Sequence, residues 1–307
     1  MKLVLAAHAY VPAIGGAERY TQGIAEALVA MGHDVHVVVP DRTSAEAFYE
    51  YGHPRVGARE QTINGVAVHR LPLGSRWLWG SGNRGTISAM PAARAEAMWR
   101  RYAKALTREI GRFAPDATVT LPHAFPNVSA ALDAPGRGVA VYAPLLHEED
   151  PAWRIDPVAN LVAKSDVILA LTTWERARLV DAYGAHADRT VVAPPSVEAP
   201  DPASVQAKVF ETPYVVSIGR RTASKELVTT ARAVQQVNAA GTPLRLIVAG
   251  PGDDPHLDGE LRSFGPSVEI IGAVSESEKW ELIKGAVASV SMSAAESFGI
   301  GITEAWA

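Results

Sequence analysis

The sequence of 307 residues is 48% hydrophobic and 20% charged, enough apolar material to fill two cores of ordinary domain size and too much for a disordered chain. Its 29 basic and 33 acidic residues leave a formal charge of −4, which excludes a general electrostatic attraction to nucleic acid. There is no cysteine, so disulfides, thiol nucleophiles and thiolate metal sites are excluded, and no stretch reaches the roughly 20 apolar residues of a membrane-spanning helix.

Residues 2–7 are a short apolar run ending at His8. A Gly-Gly turn and a patterned helix follow, so the run reads as a buried first strand rather than a signal peptide. Residues 12–16 predict a glycine-containing loop and 17–31 a helix, with Ile24, Ala25, Leu28 and Met31 at helical spacing and Gly32 as its stop. A second buried strand is expected over 35–39. Strand, glycine loop, helix and strand form the opening unit of a parallel α/β sheet. Residues 60–70 predict a strand pair turned at Asn64-Gly65, the dipeptide favoured where two positions need positive φ. The Gly-, Trp- and Arg-rich residues 71–85 predict a loop, and 86–113 a helix. The basic run Arg94, Arg100, Arg101, Lys104 and Arg108, interrupted by Glu96 and Glu109, reads as the solvent face of that helix or as a contact for anionic lipid or phosphate. Further strands are expected over 117–121, 138–143, 167–171 and 191–193.

Four prolines between 194 and 202 forbid a helix or an interior strand there and separate two patterned regions. The expected domains are therefore 1–198 and 199–307. In the second, strands over 214–218, 244–249, 268–271 and 286–291 alternate with helices over 225–240, 255–264 and 276–285. A loop over 295–301 leads to a helix that begins at Ile302 and is not finished within the sequence, so the second domain is expected to be incomplete.

Gly15 and Gly16 lie between a strand and a helix, where backbone N–H groups can meet an anion or simply make a tight turn. They lack the three spaced glycines of a dinucleotide fingerprint, which disfavours an NAD-dependent enzyme. Glu18, in the first helical turn, stabilises that helix end or meets a polyhydroxylated substrate. Arg220, after a strand, and Lys225, at the next helix start, read as two exposed cations or as holders of a diphosphate that absorb its charge as it leaves. Glu296 and Glu304 flank Ser297, Phe298 and two glycines, placed to accept hydrogen bonds from sugar hydroxyls, although Glu304 could equally balance charge on its helix. His8, His123 and His147 follow strands at the carboxyl edge of the sheet, where such domains bind ligands. His147 adjoins Glu148, Glu149 and Asp150, but no metal-ligand spacing supports a metal site.

Together these motifs resemble one family, the retaining glycosyltransferases of the GT-B fold with two facing Rossmann-like domains, family 4 or group 1 type, mannosyl- and glucosyltransferase-like. Pro12 to Glu18 looks like its N-terminal glycine loop, and Gly219-Arg220 with Lys225 like its donor-phosphate motif. Ala249-Gly250-Pro251-Gly252 looks like its strand-end glycine turn, and Glu296-Ser297-Phe298-Gly299 through Glu304 like its paired-glutamate motif.

The resemblance implies an α/β GT-B enzyme that moves a hexosyl group from a nucleotide-sugar (NDP-sugar) donor to an alcohol acceptor, with retention of anomeric configuration. The acceptor is a carbohydrate, a lipid-linked acceptor or a small molecule. Arg220, Lys225 and Gly16 would meet the donor diphosphate, Glu304 the ribose hydroxyls and Glu296 the donor sugar. His123 would stand at the reacting centre, Glu18 and His147 on the acceptor side, and Ile271 and Gly272 beside the base. No cofactor and no metal are implied. No side chain offers itself as a covalent nucleophile, so displacement on one face, assisted by the leaving diphosphate, is expected. Two features depart from the family pattern: Pro194-Pro195-Ser196-Val197-Glu198 lacks the usual glycine and aspartate, and Glu226 stands where glycine is common. A non-catalytic sugar- or nucleotide-binding protein of the same fold and a phosphorylase remain as alternatives. The expected location is cytoplasmic, peripheral at the inner membrane face where the acceptor is lipid-linked, and the 307-residue form itself is expected to be inactive.

Overall fold

The computed structural model describes residues 1–48, 50–51, 53–73, 85–86, 92–123, 125–148, 158–252, 254–293 and 296–307. It divides into two compact units, Met1–Ser196 and Val197–Ala307, with the break inside the proline-rich stretch.

In the first unit, β1 (Lys2–Ala7) runs parallel to β2 (Asp34–Pro40) on one side and β7 (Ala117–Leu121) on the other. The unbroken apolar run of β1 fits this central position, buried on both faces. Helix α1 (Gly16–Ala30) connects β1 to β2 and stops where Gly32 takes φ 84, the left-handed conformation that favours glycine at a helix end. A short pair, β3 (Glu50–Tyr51) and β6 (Gly85–Thr86), stands apart from the main sheet. The hairpin of β4 (Glu60–Ile63) and β5 (Val66–Leu71) turns on Asn64 and Gly65 at φ 49 and 82, and its β4 arm is the antiparallel edge of the main sheet.

Helix α2 (Ala92–Phe113) buries Met98, Tyr102, Leu106 and Ile110, while Arg100, Arg101, Lys104 and Arg108 are exposed on its other face. The expected start of this helix at Thr86 is corrected: Gly85 and Thr86 pair with Glu50 and Tyr51, and the helix is described from Ala92. Most of the loop expected over 71–85 lies outside the described residues. Helix α3 (Pro126–Leu132), β8 (Val139–Tyr142), α4 (Val158–Ala163), β9 (Val167–Ala170), α5 (Thr173–Tyr183) and β10 (Thr190–Val192) complete the unit. The strand order is β10-β9-β8-β7-β1-β2-β5-β4.

The second unit repeats the alternation with β11 (Tyr214–Ile218), α6 (Leu227–Ala239), β12 (Arg245–Ala249), α7 (Pro255–Arg262), β13 (Val268–Gly272), α8 (Glu276–Gly285), β14 (Ala288–Ser289) and α9 (Ile300–Trp306). Its sheet is parallel, in the order β13-β12-β11-β14. Val215, Leu246 and Val248 pack on Leu227, Ala231 and Val234 of α6, and Val216, Ile247 and Ala249 pack on Leu282 of α8. A helix expected from Lys225 is corrected here. Ala223–Lys225 form a single 3-10 turn, and Glu226 at φ 50 separates it from α6. Lys225 therefore lies outside the first turn of α6, where its charge would oppose the helix dipole.

Candidate functional site

In the first unit, Asn127 at the start of α3 is buried, and its amide donates to the carbonyls of Ala6 and Leu121, each at 3.0 Å. It thereby ties together the ends of β1 and β7, on which His8 and His123 stand. His123 is 3% exposed, with its Nδ1 2.8 Å from the hydroxyl of Tyr142 and its backbone N–H donating to Pro144. Which partner donates in the imidazole–phenol bond follows the tautomer. His8 sets Nε2 at 3.3 Å from Glu18 Oε1 and its ring 4.6 Å from that of Phe125. The Glu18 carboxylate lies over Gly15, where an added Cβ would overlap it, so the first glycine of the pair provides space. Gly16 is the exposed first residue of α1, a helix whose start carries no side-chain cap.

His147 is half-buried on the loop after β8. That loop is anchored by Glu175, which accepts from the backbone N–H groups of Leu146 at 2.8 Å and Leu171 at 2.6 Å. Burial pushes the Glu175 carboxyl above its ordinary range, against the pull of those two donors. Glu148 accepts from Arg178 Nε at 2.8 Å and from the Tyr183 hydroxyl. Burial raises the Glu148 carboxyl, but these bonds outweigh it and hold the group below the usual carboxylate range. Glu149 and Asp150 lie outside the described residues. Among the described residues, no group of three His, Asp or Glu is placed to hold a metal ion.

In the second unit, the ends of three strands join in one rim: Gly219 N–H donates to Ala249 O at 2.9 Å, and Gly250 N–H to Gly272 O at 2.6 Å. Gly250 has φ 148, and a Cβ there would overlap the Gly219 carbonyl, so this approach requires glycine. Arg221, 7% exposed, braces the rim from behind. It donates to Gly250 O at 2.5 Å, to Gly252 O at 2.7 Å and to both oxygens of Asp258 at 3.0 Å. The hydrogen bonds from Arg221 hold the Asp258 carboxyl below its ordinary range.

Arg220 is exposed on the loop leaving β11. Lys225, five residues on, forms an ion pair with Glu296, 71 positions away in sequence. Their side chains are 29% and 30% exposed, so both stand open to a ligand. The Glu226 carboxylate is turned to its own helix, accepting from Thr229 Oγ1 at 2.8 Å. Ile271 and Gly272 end β13 and are half-buried, with Gly272 at φ 74. Glu304 in α9 is 4% exposed and accepts from Lys279 Nζ at 2.6 Å. A groove of about 810 Å³ lined by Phe210, Leu244, Arg245 and Phe264 lies at the amino edge of this sheet and holds none of these residues.

The sequence profile of Glycosyltransferase Family 4 matches residues 14–199, and that of Glycosyl transferases group 1 matches residues 203–307. The chain belongs to this glycosyltransferase family. Its chemistry is transfer of a sugar from a nucleotide-sugar donor to an acceptor. No curated protein matches it by sequence. Solved structures show its fold, two Rossmann-like domains of the GT-B type. The sucrose-phosphate synthase of Thermosynechococcus elongatus is similar at a TM-score of 0.74 and 15% identity, over 99% of this chain and 78% of that one. The catalytic domain of starch synthase IV from Arabidopsis thaliana, bound to ADP and acarbose, is similar at 0.66 and 14%, over 99% and 80%. The α,α-trehalose 6-phosphate synthase of Burkholderia multivorans is similar at 0.65 and 14%, over 99% and 80%.

Within this glycosyltransferase the fold brings Lys225 and Glu296 into contact and sets Arg220 on the same strand-end loop as Lys225. Glu304 is instead buried against Lys279. Sequence reasoning missed Asn127, Tyr142, Glu175, Arg221, Asp258 and Lys279. Only Arg221 carried a local signal, as the residue directly after Gly219-Arg220.

Proposed function

We propose that this glycosyltransferase is a retaining enzyme that moves a hexosyl group from an NDP-sugar to an alcohol. The observation that carries the reading is the Lys225–Glu296 pair at the carboxyl edge of the second sheet, five residues from Arg220. Arg220 and Lys225 offer two cations to a diphosphate without recourse to a metal, and Glu296 offers acceptor oxygens to the hydroxyls of the sugar attached to it. In the free protein Glu296 balances and positions the Lys225 ammonium; a bound diphosphate would share that ammonium.

The reaction follows from charge. As the bond between the anomeric carbon and the diphosphate oxygen breaks, negative charge grows on the diphosphate, and Arg220 and Lys225 stabilise it more in the transition state than in the ground state. The acceptor oxygen bonds to the same face of the anomeric carbon and its proton passes to the departing phosphate oxygen. Gly16 would let backbone approach the donor, Glu304 would hold the ribose, and Ile271 and Gly272 would flank the base. His123, oriented by Tyr142, would face the reacting sugar, with Glu18 and His147 toward the acceptor.

The test is a donor screen by nucleotide release, followed by NMR of the product. Turnover with one NDP-sugar and a product of unchanged anomeric configuration is expected; an inverted product refutes retention.

A further inference from the structure

The second unit contains a buried lysine to which the proposed chemistry gives no role. Lys279 stands in the first turns of α8 with its side chain 6% exposed. Its Nζ donates to Glu304 Oε1 at 2.6 Å and to Glu276 Oε2 at 2.7 Å, 4.8 Å from the centre of the Trp280 ring. The Glu276 side chain is 64% exposed and the Glu304 side chain 5%. An ammonium this buried is tolerated only with a charge partner, and the partner that shares its dry surroundings is Glu304. A lysine on a charged helix ordinarily extends to water, so inward placement calls for a reason.

The position of α8 supplies one. The helix begins four residues after Gly272, and its start is fixed by a capping box between Ser275 and Glu278. Lys279 thus ties the turn at the end of β13 to α9, which carries Glu304. These are the two elements proposed to flank the base and to hold the ribose.

We propose that Lys279 is a positioning residue for the nucleoside half of the donor. Its ammonium fixes the Glu304 carboxylate and balances its charge, so that the carboxylate meets the ribose diol without first being ordered. The inference rests on the assignment of Glu304 to the ribose.

Calorimetric titration of the full chain with UDP, ADP and GDP, each against its 2′,3′-dideoxy form, separates the two claims. Loss of the diol removes whatever Glu304 and Lys279 contribute through it. For whichever nucleotide binds, Lys279→Met is expected to weaken the ribonucleotide by about tenfold or more and to leave the dideoxy form within about twofold. Lys279→Arg should recover most of the loss, and the donor KM should rise in Lys279→Met with kcat little changed. Glu304→Gln is the control, expected to show the same discrimination between the two nucleotides. Equal weakening of both nucleotides by Lys279→Met, or no weakening of either, overturns the positioning role. If Glu304→Gln fails to discriminate, the ribose assignment itself falls. Should Lys279→Met fail to fold, Lys279→Gln, which keeps a donor without the charge, is read by the same criteria.

Discussion

Lys225 and Glu296 form a half-exposed ion pair, and water screens such pairs until they contribute on the order of 0.2–1 kcal/mol to folding. Lys225→Ala and Glu296→Ala should therefore leave the melting temperature within about 2 °C of the parent, while sugar transfer falls by about 100-fold or more if the pair serves the donor. Comparable losses of stability and activity would mean the pair is merely structural. Arg221 behaves in the opposite way. It is buried and makes four hydrogen bonds, so Arg221→Ala should lose stability first, by about 2–3 kcal/mol measured in urea. Lys225, Arg220 and the two glutamates were legible as candidates in the sequence because short glycine-bearing motifs surround them. Arg221, Asp258 and Lys279 were not. Arg221 and Lys279 find their partners 37 and 25 residues away, and on a charged helix Lys279 and Asp258 read as members of a solvated face.

Among the elements, the strands were legible wherever an apolar run ended at Gly or Pro, because parallel strands buried on both faces carry no polar alternation. The hairpin at Asn64-Gly65 was legible for a different reason, the need for positive φ at both positions. The start of α6 was not legible. Lys225 and Glu226 have good helix propensity, and only the surrounding fold puts Glu226 at φ 50. The same geometry sets the Glu226 carboxylate on Thr229 of its own helix, where it accepts a hydrogen bond. Glycine would relieve the left-handed backbone but lose that hydrogen bond, two opposing effects of about 1 kcal/mol each. Glu226→Gly should accordingly keep donor KM within about threefold of the parent, measured by nucleotide release. A tenfold lower KM would show that the carboxylate repels the donor.

At the scale of the whole molecule, buried and bonded carboxylates respond to acid with opposite signs. Glu175 in the first unit has its carboxyl raised by burial, so its contribution is most favourable below the ordinary carboxylate pKa and declines as pH rises through the folded value. Acidification from neutral pH thus relieves a penalty there. Asp258 in the second unit has the reverse sign. Its carboxyl is lowered by the bonds from Arg221, so its stabilisation is fully present above the ordinary value of 3.8 and is lost as pH falls through the lower folded value. Asp258→Asn keeps the size of the side chain and removes the charge that titrates. The variant should be less stable than the parent at pH 7, and the gap between their urea midpoints should stay constant down to about pH 4 and then close. A gap that closes between pH 7 and pH 5 would mean that some other group carries the linkage. A gap that never closes would mean that Arg221 holds the glycine rim through shape and neutral hydrogen bonds, with the charge of Asp258 contributing nothing.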